Sequence, residues 1–350
     1  MRVTSVVPLI LVAISLPLLG GCPKRQEPAK SSEAGVSQPA KALEAPAAAP
    51  EAVEMPDFGS LTPSREYKIA LIMKTMSNPF FQTMEKGAKA EAKKLGIELS
   101  SQAAPKETDD EKQAGLVENA IAKSADAIVI APANSKTLVP ALLKANAASI
   151  PVINVDNRLD PQTVQQEGLK LVTFIGPDNA AGAEKAARHL FEAMGGQGQV
   201  AMLEGIPGVD NAENRKKGFQ RALEAFPNIE SVASQSANWE MEQGESVFAN
   251  MLTAHPDIRG LFCANDMMAL GALRAVEAAG GKGKILVAAY DNLDAVQPKL
   301  KSGDLLCTIE QHPDLMGAYG VRCAVALLEG KSIPPEIAVP TDLITKEQAR

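Results

Sequence analysis

Short continuous apolar runs alternate along this chain with longer stretches in which apolar residues recur every three or four positions. The runs fall at 68–73, 97–101, 127–131, 151–155, 171–175, 199–204, 229–233, 260–264, 285–290 and 305–309, with one more around 337–344. Apolar runs of this length read as strands buried on both faces, and the intervening period reads as amphipathic helices. The first junction is typical: Ile69-Ala-Leu-Ile-Met73 leads into a helical pattern over 82–95 that Gly96 closes. Strict alternation of this kind predicts an α/β fold built from doubly wound parallel sheets, and this many strands predicts two of them.

The N-terminus breaks the pattern. Arg2 supplies a positive charge, residues 6–19 are apolar, and Leu19-Gly20-Gly21-Cys22 is a small-residue cleavage site ending in cysteine. Residues 1–21 are therefore expected to be a secretory signal, too short for a membrane span and followed by Pro-Lys-Arg. The stretch resembles the bacterial lipobox, which implies lipidation of Cys22 and attachment to a bacterial membrane through that lipid anchor only. Residues 22–65 are rich in Pro, Ala, Glu and Ser. Such a composition cannot bury enough surface to offset its ordering entropy, so this segment is expected to be a disordered tether, about 35 Å in root-mean-square span.

The remaining body, 66–350, is long enough for two domains. Net charge is −7, and −8 once the signal and its Arg2 are gone. No basic stripe runs along the chain, so no nucleic-acid partner is expected. Besides Cys22 there are Cys263, Cys307 and Cys323. An odd, widely spaced set argues against a disulfide framework and against zinc, and reads as buried small apolar residues. An oxidising compartment leaves a Cys263–Cys307 pairing open. Neither a metal nor a cofactor is expected.

The candidate chemistry lies just past the strands. Lys74-Thr-Met-Ser-Asn78-Pro79-Phe80-Phe81 follows the first run. A phosphate-binding junction would place glycines there; amides and aromatic faces suit a neutral, hydroxyl-rich ligand. An internal repeat reinforces the position. Residues 128–134 and Val152-Ile-Asn-Val-Asp156-Asn157 are echoed by 261–266 and Leu286-Val-Ala-Ala-Tyr-Asp291-Asn292. In open α/β sheets ligands bind at the carboxyl edge, and two such edges in opposition form a cleft. The first half contributes Lys74, Asn78, Phe80, Phe81, Asp156, Asn157 and Arg158; the second contributes Arg215, Trp239, Asn265, Asp291 and the Glu310-Gln311 pair. Plainer roles exist for each. One phenylalanine can staple the helix to the core, the aspartates can shape turns, Asn265 can cap a helix, and Arg215 can be a solvated charge beside Lys216 and Lys217.

From about 67 to 347 the series Lys74 to Phe81, Val155-Asp156, Ala237-Asn-Trp239, Phe262-Cys-Ala-Asn-Asp266, Tyr290-Asp291 and Thr308-Ile-Glu-Gln311 resembles the periplasmic sugar-binding proteins of the ribose and allose type. The resemblance implies a type I periplasmic-binding-protein fold of two domains, 66–176 with 312–340 and 177–311 with 341–350, joined by three hinge crossovers. It implies a monomer that captures a monosaccharide by hinge closure, without chemistry, and delivers it to an ABC transporter permease. The sugar contacts it implies are Asn78, Phe80, Phe81 and Asp156 on one wall and Arg215, Trp239, Asn265, Asp291 and Gln311 on the other. Ribose-binding relatives carry arginine where this chain has Asn157, and asparagine where it has Ala131. A smaller lip residue, with Lys74 as a long donor opposite, favours a hexose over ribose. Two other readings are a glycosidase using Asp156 and Asp291 across the cleft and a sugar sensor for a chemoreceptor. The glycosidase is disfavoured because amide and guanidinium neighbours are expected to keep both acids ionised, and His189, His255 and His312 fall in no catalytic motif.

Overall fold

The computed structural model describes residues 53–350. The signal segment, Cys22 and the expected tether up to residue 52 lie outside the described residues. Along the chain the strands are β1 (Lys68–Thr75), β2 (Glu98–Ala104), β3 (Ala127–Ile130), β4 (Val152–Val155), β5 (Thr173–Gly176) and β6 (Gln197–Glu204). They continue with β7 (Asn228–Ser236), β8 (Ile258–Cys263), β9 (Leu286–Ala288), β10 (Cys307–Glu310), β11 (Glu336–Ala338) and β12 (Asp342–Thr345). The helices are α1 (Pro79–Leu95), α2 (Asp110–Ala122), α3 (Val139–Ala147), α4 (Pro161–Glu167) and α5 (Asn179–Ala193). After them come α6 (Asp210–Ala225), α7 (Met241–Ala254), α8 (Asp266–Ala278), α9 (Gln297–Ser302) and α10 (Pro313–Leu328).

Two six-stranded sheets result, ordered β11-β5-β4-β3-β1-β2 and β12-β10-β9-β8-β6-β7. The orders are the same once β1 is matched to β6, β2 to β7, β3 to β8, β4 to β9 and β5 to β10. The repeat heard in the sequence is thus a repeat of topology, and Asp156 after β4 corresponds to Asp291 after β9. The chain passes from the first sheet to the second between β5 and β6, returns between β10 and β11, and passes again between β11 and β12. The interior strands are fully buried, Ile128, Val129 and Ile130 among them, which is why they read as continuous apolar runs.

Two expectations need correction. The last apolar stretch is two strands in different sheets, because Pro340 sits between β11 and β12 and has no N–H to extend a ladder. β12 pairs antiparallel with β10, with Cys307 opposite Thr345, so the second sheet carries one antiparallel edge. The end of the expected tether is also ordered. Val53 bridges Ile337 at the edge of the first sheet; its amide donates to the Glu336 carbonyl at 3.3 Å, and its carbonyl accepts from the Ala338 amide at 2.8 Å. Met55, Phe58 and Leu61 pack partly buried against the core of that lobe. Those apolar side chains are what the rest of the segment lacks.

Helices pair tightly where glycine permits it. A Cβ on Gly87 of α1 would stand 2.0 Å from the Asp314 carbonyl, and one on Gly317 of α10 would stand 2.1 Å from the Met84 carbonyl. Cys263, Cys307 and Cys323 are buried free thiols. Among the described residues no helix is long and apolar enough to cross a membrane.

Candidate functional site

Residues at the carboxyl ends of strands in both sheets line one cavity with about 270 Å³ of empty space. On the first wall Asn78 caps α1: its Oδ1 accepts from the Phe80 amide at 3.0 Å, and its Nδ2 donates to Glu107 at 2.9 Å. Pro79 takes the first helical position, where its missing N–H costs nothing. This start holds Phe80 and Phe81 edge-to-face, with centroids 5.1 Å apart and planes at 89°. Both rings are rooted in the core and both line the cavity. Lys74, at the end of β1, sets its Nζ 3.5 Å from Asp156 Oδ2 and 5.8 Å from the Phe81 centroid. Asp156 has a left-handed backbone, φ 63°, and its Oδ2 is buried with no hydrogen-bond partner.

On the second wall Arg215, 3% exposed, organises its neighbours. Its Nε donates to Asn179 at 2.8 Å, and its terminal nitrogens to the Ala264 carbonyl at 2.7 Å, Gln311 at 3.2 Å and Asp291 at 3.4 Å. Its guanidinium lies 3.8 Å over the Tyr290 ring and 5.5 Å from that of Trp239. Gln311 donates to Asp291 at 2.7 Å. Asn265 caps α8 by accepting from the Met268 amide at 2.9 Å, and donates to the Trp239 carbonyl at 3.3 Å. Trp239, φ 67°, presents a buried Nε1 without a partner. Gly205 lies flat under its indole, since a Cβ there would fall 2.0 Å from Cζ2. Asp291 has φ 118°, rare for a side-chain-bearing residue. Residues held in such conformations persist only where surrounding structure over-determines them, commonly at binding sites.

The charges are not all held as expected. Burial pushes the Asp291 carboxyl up to about 7, against the pull of Arg215, with Asp156 and Glu107 adding to the rise. Burial also raises Glu107, opposed by Lys74 and by its bond from Asn78, and raises Asp266 further. Asp291 is therefore held less firmly ionised than its neighbours alone would hold it, because desolvation works against the guanidinium.

Lys74, Asn78, Phe80, Phe81, Asp156, Arg215, Trp239, Asn265, Asp291 and Gln311 line the cavity together. Asn157 does not line it. Its Nδ2 donates to the Pro132 carbonyl at 3.0 Å and its Oδ1 accepts from the Asn211 amide at 3.4 Å. Arg158 stacks 3.8 Å over Phe174 and pairs with Glu336 at 2.5 Å. Glu310 accepts from the amides of Gln311 and His312, shaping the second crossover. Two lining residues were missed, Glu107 and Asn211. Glu107 lies in Lys106-Glu-Thr-Asp-Asp-Glu-Lys112, which reads as a solvated charged run. The signal that could have found it is the repeat, because Glu107 follows β2 as Trp239 follows β7.

A family model described as periplasmic binding protein domain matches residues 69–332. The D-ribose/D-allose-binding protein of Pseudomonas aeruginosa is 42% identical over 284 residues, covering 79% of this chain and 88% of its own length. Among solved structures, an ABC transporter periplasmic solute binding protein from Actinobacillus succinogenes with bound D-allose has a TM-score of 0.78 and 45% identity. It covers 81% of this chain and 99% of its own. A solute binding protein from Agrobacterium vitis bound with α-D-tagatopyranose has a TM-score of 0.77 and 36% identity, over 81% of this chain and 95% of its own. These relatives are named as binding proteins, and this chain is a binding protein and not an enzyme. It belongs to the periplasmic binding protein family.

Proposed function

We propose that this protein is an extracytoplasmic solute-binding lipoprotein that captures a monosaccharide by hinge closure and hands it to an ABC transporter permease. The observation that carries the reading is the pair of buried polar atoms without partners at the cavity, Asn211 Oδ1 and Trp239 Nε1, beside Asp156 Oδ2, which has the Lys74 ion pair but no hydrogen bond. An unpaired buried polar atom costs about 1–3 kcal/mol, and a sugar's hydroxyl and ring oxygens supply the missing partners. The rings of Phe80, Phe81 and Trp239 offer apolar surface to its C–H faces. The lobes that close are 66–176 with 312–340 and 177–311 with 341–350, and the protein acts as a monomer.

The favoured ligand is a hexose. Asn157 is outside the cavity and does not bear on the choice of sugar. What supports a hexose is the presence of two charged groups, Lys74 and Glu107, on the first wall, together with the D-allose and D-tagatopyranose bound by the similar structures.

Titrating the purified protein with D-allose, D-tagatose and D-ribose while following Trp239 fluorescence tests the reading. Saturable changes are expected, with a hexose tightest. Lys74→Met is expected to weaken that hexose about tenfold, the scale of a lost charged hydrogen bond. Absence of saturable binding by every sugar would overturn the function. Tightest binding of ribose, with Lys74→Met indifferent, would overturn only the preference.

A further inference from the structure

The start of α6 has no cap of its own. Val209 at its N-cap accepts no side-chain hydrogen bond for the helix, yet the first amides of a helix need acceptors. Here the acceptors come from the other lobe. The Asp210 amide donates to Ser135 Oγ at 3.0 Å, and the Asn211 amide donates to Asn157 Oδ1 at 3.4 Å. Ser135 follows β3 and Asn157 follows β4, while α6 follows β6 of the second sheet. Ser135 and Asn157 are buried, and Asn157 Nδ2 lies 3.4 Å from Ser135 Oγ and 3.0 Å from the Pro132 carbonyl, so the two acceptors form one braced unit. The Asn211 side chain, 4% exposed, lines the cavity and leaves its Oδ1 without a partner.

We infer that α6 is capped in trans when the lobes meet, forming a clasp, and that Asn211 links this clasp to the ligand. This rests on the sugar reading above. The Asn211 backbone amide is fixed by the first lobe, while its side-chain carbonyl accepts a hydrogen bond from a ligand hydroxyl. Asn211 is thus a specificity-determining residue, and Ser135 and Asn157 are positioning residues that hold the closed form without touching ligand. Separation of the lobes leaves two helix amides and two buried acceptors to find water instead.

Proline substitution isolates the clasp. Position 210 is the first residue of α6, where proline is well accepted, and Val209 already has the extended backbone (φ −87°, ψ 127°) that a residue before proline requires. Asp210→Pro deletes only the amide donor relative to Asp210→Ala, which lacks the carboxylate but keeps the N–H. Calorimetric titration with D-allose, D-tagatose and D-ribose is expected to show Asp210→Pro binding about threefold to tenfold more weakly than Asp210→Ala, the worth of one hydrogen bond. The factor should be the same for every sugar, and the loss should lie in faster dissociation. Ser135→Ala and Asn157→Ala should also weaken all sugars by a uniform factor. Asn211→Ala should weaken them by factors that differ between epimers, since it removes one hydroxyl contact. Equal binding by Asp210→Pro and Asp210→Ala, or a loss in Asn157→Ala that varies with the sugar, would overturn the clasp. A parent protein that binds none of the sugars would overturn the sugar reading itself, and the role of Asn211 with it.

Discussion

Individual side chains at the cavity answer to two demands, and the structural one is often met first. Asn78 and Asn265 spend their oxygens on capping α1 and α8, and bond neighbouring groups through their nitrogens; the capping reading of Asn265 therefore holds for a residue that also lines the cavity. Gly205 is the quietest of these residues. Gly205→Ala places a methyl group inside the present position of the Trp239 indole, so the ring must swing. Sugar affinity should drop at least about tenfold, equal to 1.4 kcal/mol, with a shifted emission maximum in the sugar-free protein; unchanged emission and affinity would mean the indole has room to adjust. Asp291 gives a prediction in pH. Its carboxyl rises from the ordinary 3.8 to about 7 on folding. A raised acid favours the folded state fully below about pH 4, and that contribution is lost as pH rises through 7. Asp291→Asn removes this loss, so its melting temperature should gain on the parent's between pH 4.5 and 7.5. Glu107 and Asp266, raised in the same sense, leave a residual slope in the variant. A gain that is equal at both pH values would remove Asp291 as the cause.

Among elements, the interior strands were legible because burial on both faces leaves almost no polar position to confuse the period. Between β11 and β12 the apolar pattern by itself runs on past Pro340, and only the backbone chemistry of proline marks the change of sheet. The cavity was legible wherever a residue directly follows an apolar strand, as Asp156 and Asp291 do. Glu107 and Asn211 were not, because each lies in a charged, polar segment whose local pattern reads as solvated and does not record its burial in the fold. Asn157 shows the converse, adjacent in sequence to a lining residue yet turned to another partner. Helix packing supplies its own test. Gly317→Ala in α10 would drive a methyl group into the Met84 carbonyl, and overpacking of this kind costs about 1–3 kcal/mol, outweighing the gain in helix propensity. Gly115→Ala in α2 meets nothing within 4 Å and should stabilise by about 0.5–1 kcal/mol. Urea titration of the two variants should give opposite signs; the same sign in both would show that the α1–α10 contact relaxes freely.

Across the whole molecule, matched sheet orders put equivalent strand ends at one cavity, and the chain crosses between sheets three times. Such connections permit the lobes to part and close while neither refolds. The proposed lipid anchor belongs at this scale. Cys22→Ser should move the protein from the membrane fraction to the soluble one, and parent protein that is already soluble and unmodified by mass would remove the anchor from the proposal. If that anchor is present, the ordered strap at Val53 would set which lobe it holds. It joins β11, the strand that runs directly into the third crossover, and its apolar residues rest on the first lobe. A pull from upstream therefore loads one jaw at the root of the hinge and leaves the other unloaded. Under the proposed anchor and hinge closure, the first lobe would be the handle and the second the moving jaw, and a captured ligand would be displayed by where that jaw comes to rest.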